Sequence, residues 1–283
     1  MIAFLGTGLL GSNFVRALRQ RGHAVQVWNR SPDKARALER DGAVACEDPA
    51  AAVRGAERVH LALRDDATVD DVLERARPGL AAGALVIDHT TTSPRGAADR
   101  VARWRERGVT YVHAPVFMGP QNAREATGLM MISGDRATIE RVRPLLQPMT
   151  GKLLELGDRP ETAASFKLLG NAFLMCFTAG LADVLALAKA LGVAAGDAAK
   201  LFEQFNPAMA IGARLARMTS GDYEDPSWEL AMARKDAGLM LDAAGAAGVP
   251  LALLPAIAAR MDAVIAEGFA HHDWTVIARD AVR

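Results

Sequence analysis

Ile2-Ala3-Phe4-Leu5-Gly6-Thr7-Gly8-Leu9-Leu10-Gly11 is the stretch on which the fold of this chain turns. Four apolar residues stopped by glycine have the length and composition of a buried strand. The glycines follow at G-x-G-x-x-G spacing, and Leu10–Arg21 behind them carries a helical pattern. Strand, glycine turn and helix in that order form a cradle for a dinucleotide pyrophosphate. Gly6 permits the tight turn, Gly8 lets the backbone approach the phosphates, and Gly11 lets the helix lie close to the strand. Thr7, Leu9 and Leu10 complete the turn, whose helix N-terminus offers unpaired N–H groups and a positive dipole end. The competing reading is an ordinary strand–helix turn with incidental glycines, and the strand before it and helix after it count against that.

Working outward, the pattern repeats. Ala24–Trp28, Arg58–Leu63, Ala84–Asp88 and Thr110–His113 read as further strands. Helical patterns lie between them at Pro32–Arg40, Ala67–Ala76 and Pro94–Arg107. Regular β–α alternation predicts an α/β domain of the Rossmann type, a doubly wound parallel sheet with helices on both faces. Leu129–Ile132 and Lys152–Leu156 are expected as later strands of the same sheet. After Gly157-Asp158-Arg159-Pro160 only helical patterns follow, the first running from Glu161 to about Leu191. The expectation is therefore a dinucleotide-binding domain over 1–159 and an all-α domain over 160–283 for substrate binding and dimerisation.

Composition excludes several classes. Lys plus Arg and Asp plus Glu number 33 each in 283 residues, so nothing electrostatic points to nucleic acid or an anionic membrane. Two cysteines, Cys46 and Cys176, rule out a disulfide scaffold and a four-thiolate zinc site, and fit a cytoplasmic location. No signal peptide is expected at Met1, because no basic segment precedes the apolar run. The most apolar stretch, Leu168–Ala182, is interrupted by Gly170, Asn171 and Gly180. It falls short of the ~20 residues of a membrane span and is expected to be a buried helix. No metal site is expected. His271-His272-Asp273 is poor ligand spacing, and Asp273 reads as a cap before Trp274. Asp65-Asp66 and Asp70-Asp71 read as residues of a helix's first turns, favoured by its dipole.

The end of the second strand bears on the cofactor. Asn29-Arg30-Ser31 stands where an NAD site usually carries an acidic residue for the ribose hydroxyls. A carboxylate there would repel a 2′-phosphate. Asn29 still offers a hydrogen bond to ribose, Arg30 offers a pair to phosphate, and Ser31 and Lys34 are further donors. NADP is expected in preference to NAD.

Lys167 stands out among few lysines because Ala163-Ala164-Ser165-Phe166 and Leu168-Leu169 flank it. Asn171 shares its helix face. Partial desolvation lowers a lysine pKa and makes the group a usable acid near neutrality. A lysine snorkelling from a helix edge explains the residues equally well.

At this point the chain resembles the β-hydroxyacid dehydrogenases, which include 3-hydroxyisobutyrate dehydrogenases and glyoxylate/succinic semialdehyde reductases. The likeness runs through Gly6–Gly11, Asn29-Arg30-Ser31, Asp88-His89-Thr90-Thr91-Thr92-Ser93-Pro94, His113-Ala114-Pro115-Val116-Phe117-Met118-Gly119, Lys167-x-x-x-Asn171 and Lys235-Asp236. It implies a hydride transfer between nicotinamide and a hydroxy acid, or the matching aldehyde or keto acid. Lys167 would be the general acid/base and Asn171 would orient the substrate oxygen. Leu63, Arg64, Thr68, Thr91 and Lys235 would line the cofactor. Phe117, Met118 and Gly119 would meet the substrate. His113, in place of the family's Asp, is expected to be structural.

The chain departs from the family pattern in places. Phe117-Met118 replaces a Ser-Gly that serves carboxylate binding, Glu161 and Ala163 replace glycines, and Gly170 replaces the first of two asparagines. An imine reductase of the same fold is the nearest alternative, and a non-catalytic NADP-binding module is the other. The expected partners are a small-molecule substrate and a second copy of the chain, since a long apolar helix needs its second face covered.

Overall fold

The computed structural model describes residues 1–282 and divides into two compact units, Met1–Asn171 and Ala172–Arg283. In the first unit the order is β1 (Ile2–Leu5), α1 (Leu9–Gln20), β2 (Val25–Trp28), α2 (Pro32–Arg36), β3 (Val44–Ala45), α3 (Pro49–Val53), β4 (Arg58–Leu61) and α4 (Asp66–Ala76). It continues through β5 (Leu85–Asp88), α5 (Pro94–Glu106), β6 (Thr110–His113), β7 (Val116–Phe117), α6 (Pro120–Glu125), β8 (Leu129–Ile132), α7 (Arg136–Leu146) and β9 (Lys152–Glu155).

Among the described residues a parallel six-stranded sheet has the order β3-β2-β1-β4-β5-β6. The chain leaves β1 toward β2 and β3, then returns to place β4 on the other flank of β1. This reversal opens a crevice at the C-terminal ends of β1 and β4, the usual ligand position in such sheets. Strand alternation feeds two cores. Ile2 and Phe4 pack with Phe14 and Leu18 of α1, while Ala3 and Leu5 pack with Val69 and Leu73 of α4. The α/β Rossmann-type expectation is met.

One strand assignment is corrected. β8 and β9 do not extend the large sheet; with β7 they form a separate three-stranded sheet, β7-β8-β9. β7 runs antiparallel to β8, and β8 parallel to β9. The turn at Ala114-Pro115 lets the chain leave β6 and start a new sheet two residues later, and apolar strands look alike in either sheet. The short β3, α3, β7 and α6 carry too few residues for a periodic signal, and α7 holds an internal Pro144 that masks it.

The chain continues with α8 (Thr162–Ala190), α9 (Ala195–Gln204), α10 (Ile211–Ser220), α11 (Leu230–Ala246) and α12 (Leu254–Val264), ending in a 3-10 run over Trp274–Ala281. The compact units part inside α8, whose first turns pack with the first unit. Within the second unit, Leu230, Ala233, Ala237, Met261, Val264 and Val276 form the core. Asp183 of α8 accepts hydrogen bonds from the N–H groups of Ala252, Leu253 and Leu254 at 2.6, 2.8 and 3.0 Å. It thereby caps the backbone that leads into α12. Asp273 caps the 3-10 run, accepting from Thr275 N at 3.0 Å.

A second correction concerns α8. It spans 29 residues, long and apolar enough by composition to cross a membrane, and only 6% of its most apolar window is buried within the chain. Phe173, Met175 and Phe177 are exposed. It is not the buried helix expected from the sequence. Glycine inside a helix costs only ~1 kcal/mol, so Gly170 and Gly180 interrupt the apolar run without ending the helix.

Candidate active site

Eight of the expected cofactor residues surround a cavity of about 440 Å³ beside β1, β2 and β4. Gly6, Gly8, Asn29, Arg30, Ser31, Leu63, Arg64 and Thr68 line it. Gly6 has φ +97°, and a Cβ there would collide with the Ala62 carbonyl, so both conformation and space demand glycine. A Cβ on Gly11 would collide with the Gly6 carbonyl oxygen. A Cβ on Gly8 meets nothing within 4 Å. That open space at the α1 N-terminus, where no acidic side chain lies in the first turn, fits a pyrophosphate.

Asn29 ties this turn to the end of β2. Its Oδ1 accepts from Thr7 N at 3.0 Å and its Nδ2 donates to Ser31 O at 3.1 Å. Arg30, Ser31 and Lys34 stand exposed at the cavity edge. Among the described residues neither Arg30 nor Lys34 has an ion pair, whereas Asp33 beside them pairs with Arg36 at 3.3 Å. Thr7 and Leu10 sit in the turn without lining the cavity, and Leu9 is 81% exposed. Sequence reading missed Trp28, Asp71 and Arg75, which also line the cavity. Arg75 stacks on Trp28 at 5.0 Å from the ring centre. The spacing of Asp71 and Arg75 on α4 was the available signal, because one helix face presents them together.

The segment after β5 is pinned from three sides. Thr90 N donates to Asp88 Oδ1 at 2.9 Å, Thr90 Oγ1 accepts from Leu63 N at 2.9 Å, and Thr90 O accepts from His113 Nε2 at 2.8 Å. Tyr111 donates its hydroxyl to Asp88 Oδ2 at 2.6 Å. Thr91 stands exposed between buried Thr90 and Thr92. His113 is buried and structural, as expected.

Below this segment lies a polar chain that the sequence did not disclose. Arg58 Nε donates to His60 Nε2 at 3.1 Å, His60 Nδ1 meets His89 Nε2 at 3.0 Å, and His89 Nδ1 meets Ala114 O at 2.8 Å. A carbonyl can only accept, so His89 donates from Nδ1 and His60 donates to His89. Each ring then carries one proton and is neutral. Burial and mutual repulsion push the His60 pKa well below its usual value, and burial takes His89 down to about 4. The rings stack with Phe4 and Phe14 under the glycine turn. His60 sits in a strand where alternation placed it in the core, and a lone core histidine in one strand carries no signal of its partner in another.

The acid/base candidate is positioned by Ser133, at the end of β8. Its Oγ accepts from Ala163 N at 2.9 Å and donates to Pro160 O at 3.2 Å, holding the start of α8. Ala163 and Ala164 are fully buried. Lys167 follows one turn on, half-buried, with no carboxylate partner among the described residues of its unit. Burial pulls its pKa below the ordinary lysine value. Asn171 lies one turn further along the same face. The Lys167 Nζ stands 3.9 Å from the centre of the Phe117 ring. Met118 is half-buried, and Gly119 N donates to Asn122 Oδ1 at 2.9 Å. Lys235 belongs to the second unit, on α11, where it pairs with Asp236 at 3.0 Å.

A parallel sheet with a phosphate-binding turn at its switch point is the architecture of a dinucleotide-binding protein. Residues 1–157 match the profile of the NAD binding domain of 6-phosphogluconate dehydrogenase, and 162–280 match that of the NAD-binding of NADP-dependent 3-hydroxyisobutyrate dehydrogenase. A 3-sulfolactaldehyde reductase of Escherichia coli (strain K12) is 29% identical over 98% of this chain and 94% of its own. A probable 3-hydroxyisobutyrate dehydrogenase of Mycobacterium tuberculosis (strain ATCC 25618 / H37Rv) is 30% identical over 87% of this chain and 86% of its own. In fold, an imine reductase from Myxococcus stipitatus in complex with NADP+ superposes with a TM-score of 0.89 at 20% identity, covering 99% of each chain. The chain belongs to the β-hydroxyacid dehydrogenase family and is an NAD(P)-dependent oxidoreductase acting on CH–OH and C=O groups.

Proposed function

We propose that this enzyme is an NADP-preferring reductase of aldehydes or keto acids in which Lys167 is the general acid. The observation that carries the reading is the Lys167 ammonium: half-buried, free of a carboxylate partner in its unit, and one helical turn from Asn171. Bound nicotinamide supplies the hydride when the carbonyl carbon is reduced. Lys167 Nζ then gives a proton to the oxygen as it gains negative charge, and the same amine takes that proton back in alcohol oxidation. Partial burial favours this exchange, because it weakens the hold of the amine on its proton. The Asn171 amide orients the substrate oxygen. Gly6, Gly8 and Gly11 shape the phosphate turn, while Leu63, Arg64, Thr68, Thr91 and Lys235 are assigned to the cofactor.

NADP preference rests on Arg30 and Lys34, which stand at the cavity edge without ion pairs among the described residues. With Ser31 they supply donors for a 2′-phosphate, and the end of β2 offers no carboxylate to repel it. A second copy of the chain covers the exposed apolar face of α8. The Asp183 carboxylate on that helix is spent on protein backbone at 252–254, which fits a packed protein interface better than lipid. Gel filtration at micromolar concentration yielding only monomer would remove the dimer. Free Cys46 and Cys176 suit the reducing cytoplasm.

Imine reduction is the second reading, favoured by the Phe117 ring over the amine. The deciding experiment is an NADPH-oxidation screen of aldehydes, keto acids and imines, repeated with NADH, on wild type and Lys167→Ala. The variant is expected to lose about 10³-fold in kcat/KM while NADPH affinity holds. Retained turnover would sink the acid/base role, and faster turnover of a cyclic imine than of glyoxylate or succinic semialdehyde would favour the second reading. Wild type that binds NADPH yet turns over nothing would support a non-catalytic module.

A further inference from the structure

Phe117 and Gly170 lie 53 positions apart, on β7 and α8, yet they share one small volume. A Cβ built on Gly170 would collide with Cζ of the Phe117 ring and stand 2.9 and 3.0 Å from its two Cε atoms. The obstacle is a ring held by a strand, not the end of a flexible chain. Gly170 lacks a positive φ, so the site uses the missing side chain rather than backbone freedom. The space freed by Gly170 is where the ring sits, and from there its face covers Lys167 Nζ at 3.9 Å. Lys167 and Gly170 are three residues apart on α8 and so present one face to that ring.

An aromatic face carries partial negative charge. It attracts the ammonium and repels an anion seeking the same flank. Of the neighbouring backbone donors, Gly119 N is already engaged by Asn122. A carboxylate entering on this flank would lose hydration without gaining a donor from the ring or from Gly119. We propose that Phe117 and Gly170 form a coupled specificity pair: the ring seated in the space of the missing Cβ reserves one flank of Lys167 for an uncharged substituent. The preferred substrate is thus a carbonyl compound without a carboxylate beside the carbonyl. This assignment rests on Lys167 as the proton donor.

Glyoxylate and its methyl ester present the same aldehyde with and without the adjacent negative charge. Wild type is expected to reduce the ester with kcat/KM at least about tenfold above the acid, and Phe117→Ser to move that ratio about tenfold toward the acid. Gly170→Ala is expected to lower the melting temperature with Phe117 present and to leave it nearly unchanged in Phe117→Ser, since only the ring obstructs the new methyl. Preference of wild type for glyoxylate, a ratio that Phe117→Ser leaves unmoved, or equal melting shifts in both backgrounds would each overturn the pair. The melting cycle needs no turnover, so it judges the pairing even if Lys167→Ala shows the proton-donor reading to be wrong.

Discussion

The glycine turn and the Lys167 face sit in the same compact unit and are built in opposite ways. The turn is assembled from consecutive residues, Gly6 to Gly11, with Gly6 and Gly11 each held against a backbone carbonyl. The Lys167 face brings together Phe117, Lys167, Gly170 and Asn171 from two distant elements, held by side-chain shape and by the Ser133 clasp. A local device tolerates almost no substitution and announces itself through spacing. An assembled device tolerates paired changes and leaves its positions individually unremarkable. That difference explains how the glycine turn keeps its G-x-G-x-x-G pattern while the Lys167 face carries Phe117 and Gly170.

The sharpest way to break this comparison is Gly11→Ala. The new methyl meets the Gly6 carbonyl and the edge of the Phe4 ring, so the turn must move, and NADPH affinity is expected to fall about a hundredfold in a fluorescence titration. Unchanged affinity would show that the turn is less local than described.

The histidine chain under the turn gives the next effect. Unfolded His89 takes up a proton near 6.5, and the folded ring resists until about 4. Folded stability is therefore whole above pH 6.5 and is lost as pH falls toward 4, by roughly 3 kcal/mol for this residue alone. Thermal melts across that window are expected to show the loss, and His89→Gln to reduce it while buried His60 keeps its own share. A melt independent of pH there would mean that the rings are not neutral and buried as a stacked pair.

Lys167 offers a kinetic reading. In the proposed role carbonyl reduction needs the ammonium, so kcat/KM is expected to fall about tenfold per pH unit above its pKa, while alcohol oxidation rises until the amine is free. The break is expected below the ordinary lysine value of 10.5, because burial lowers it. A break at or above that value would leave Lys167 fully solvated.

Arg30→Ala should give the smallest change. KM for NADPH is expected to rise about tenfold with NADH nearly unaffected. Equal effects on both cofactors would detach Arg30 from the 2′-phosphate.

Much of this molecule was readable before any coordinates. Short apolar runs bounded by Gly, Asp, Pro or Asn located five of the six strands of the large sheet, and the switch to helical pattern after Gly157 marked where strands cease. The sheet to which β8 and β9 belong was not readable, because an apolar strand has no mark of its neighbour. Nor was the exposure of α8, since hydropathy reports what a face prefers and not what covers it. The sequence by itself determined the phosphate turn, the alternating fold and the candidates Lys167 and Asn171, all of which depend on residues close along the chain. Only the tertiary structure decided that His60 meets His89, that Thr90 is pinned by Leu63 and His113, and that Phe117 fills the void at Gly170. Those contacts join residues 23 to 53 positions apart, and their meeting depends on strand order and helix packing, which no local pattern encodes.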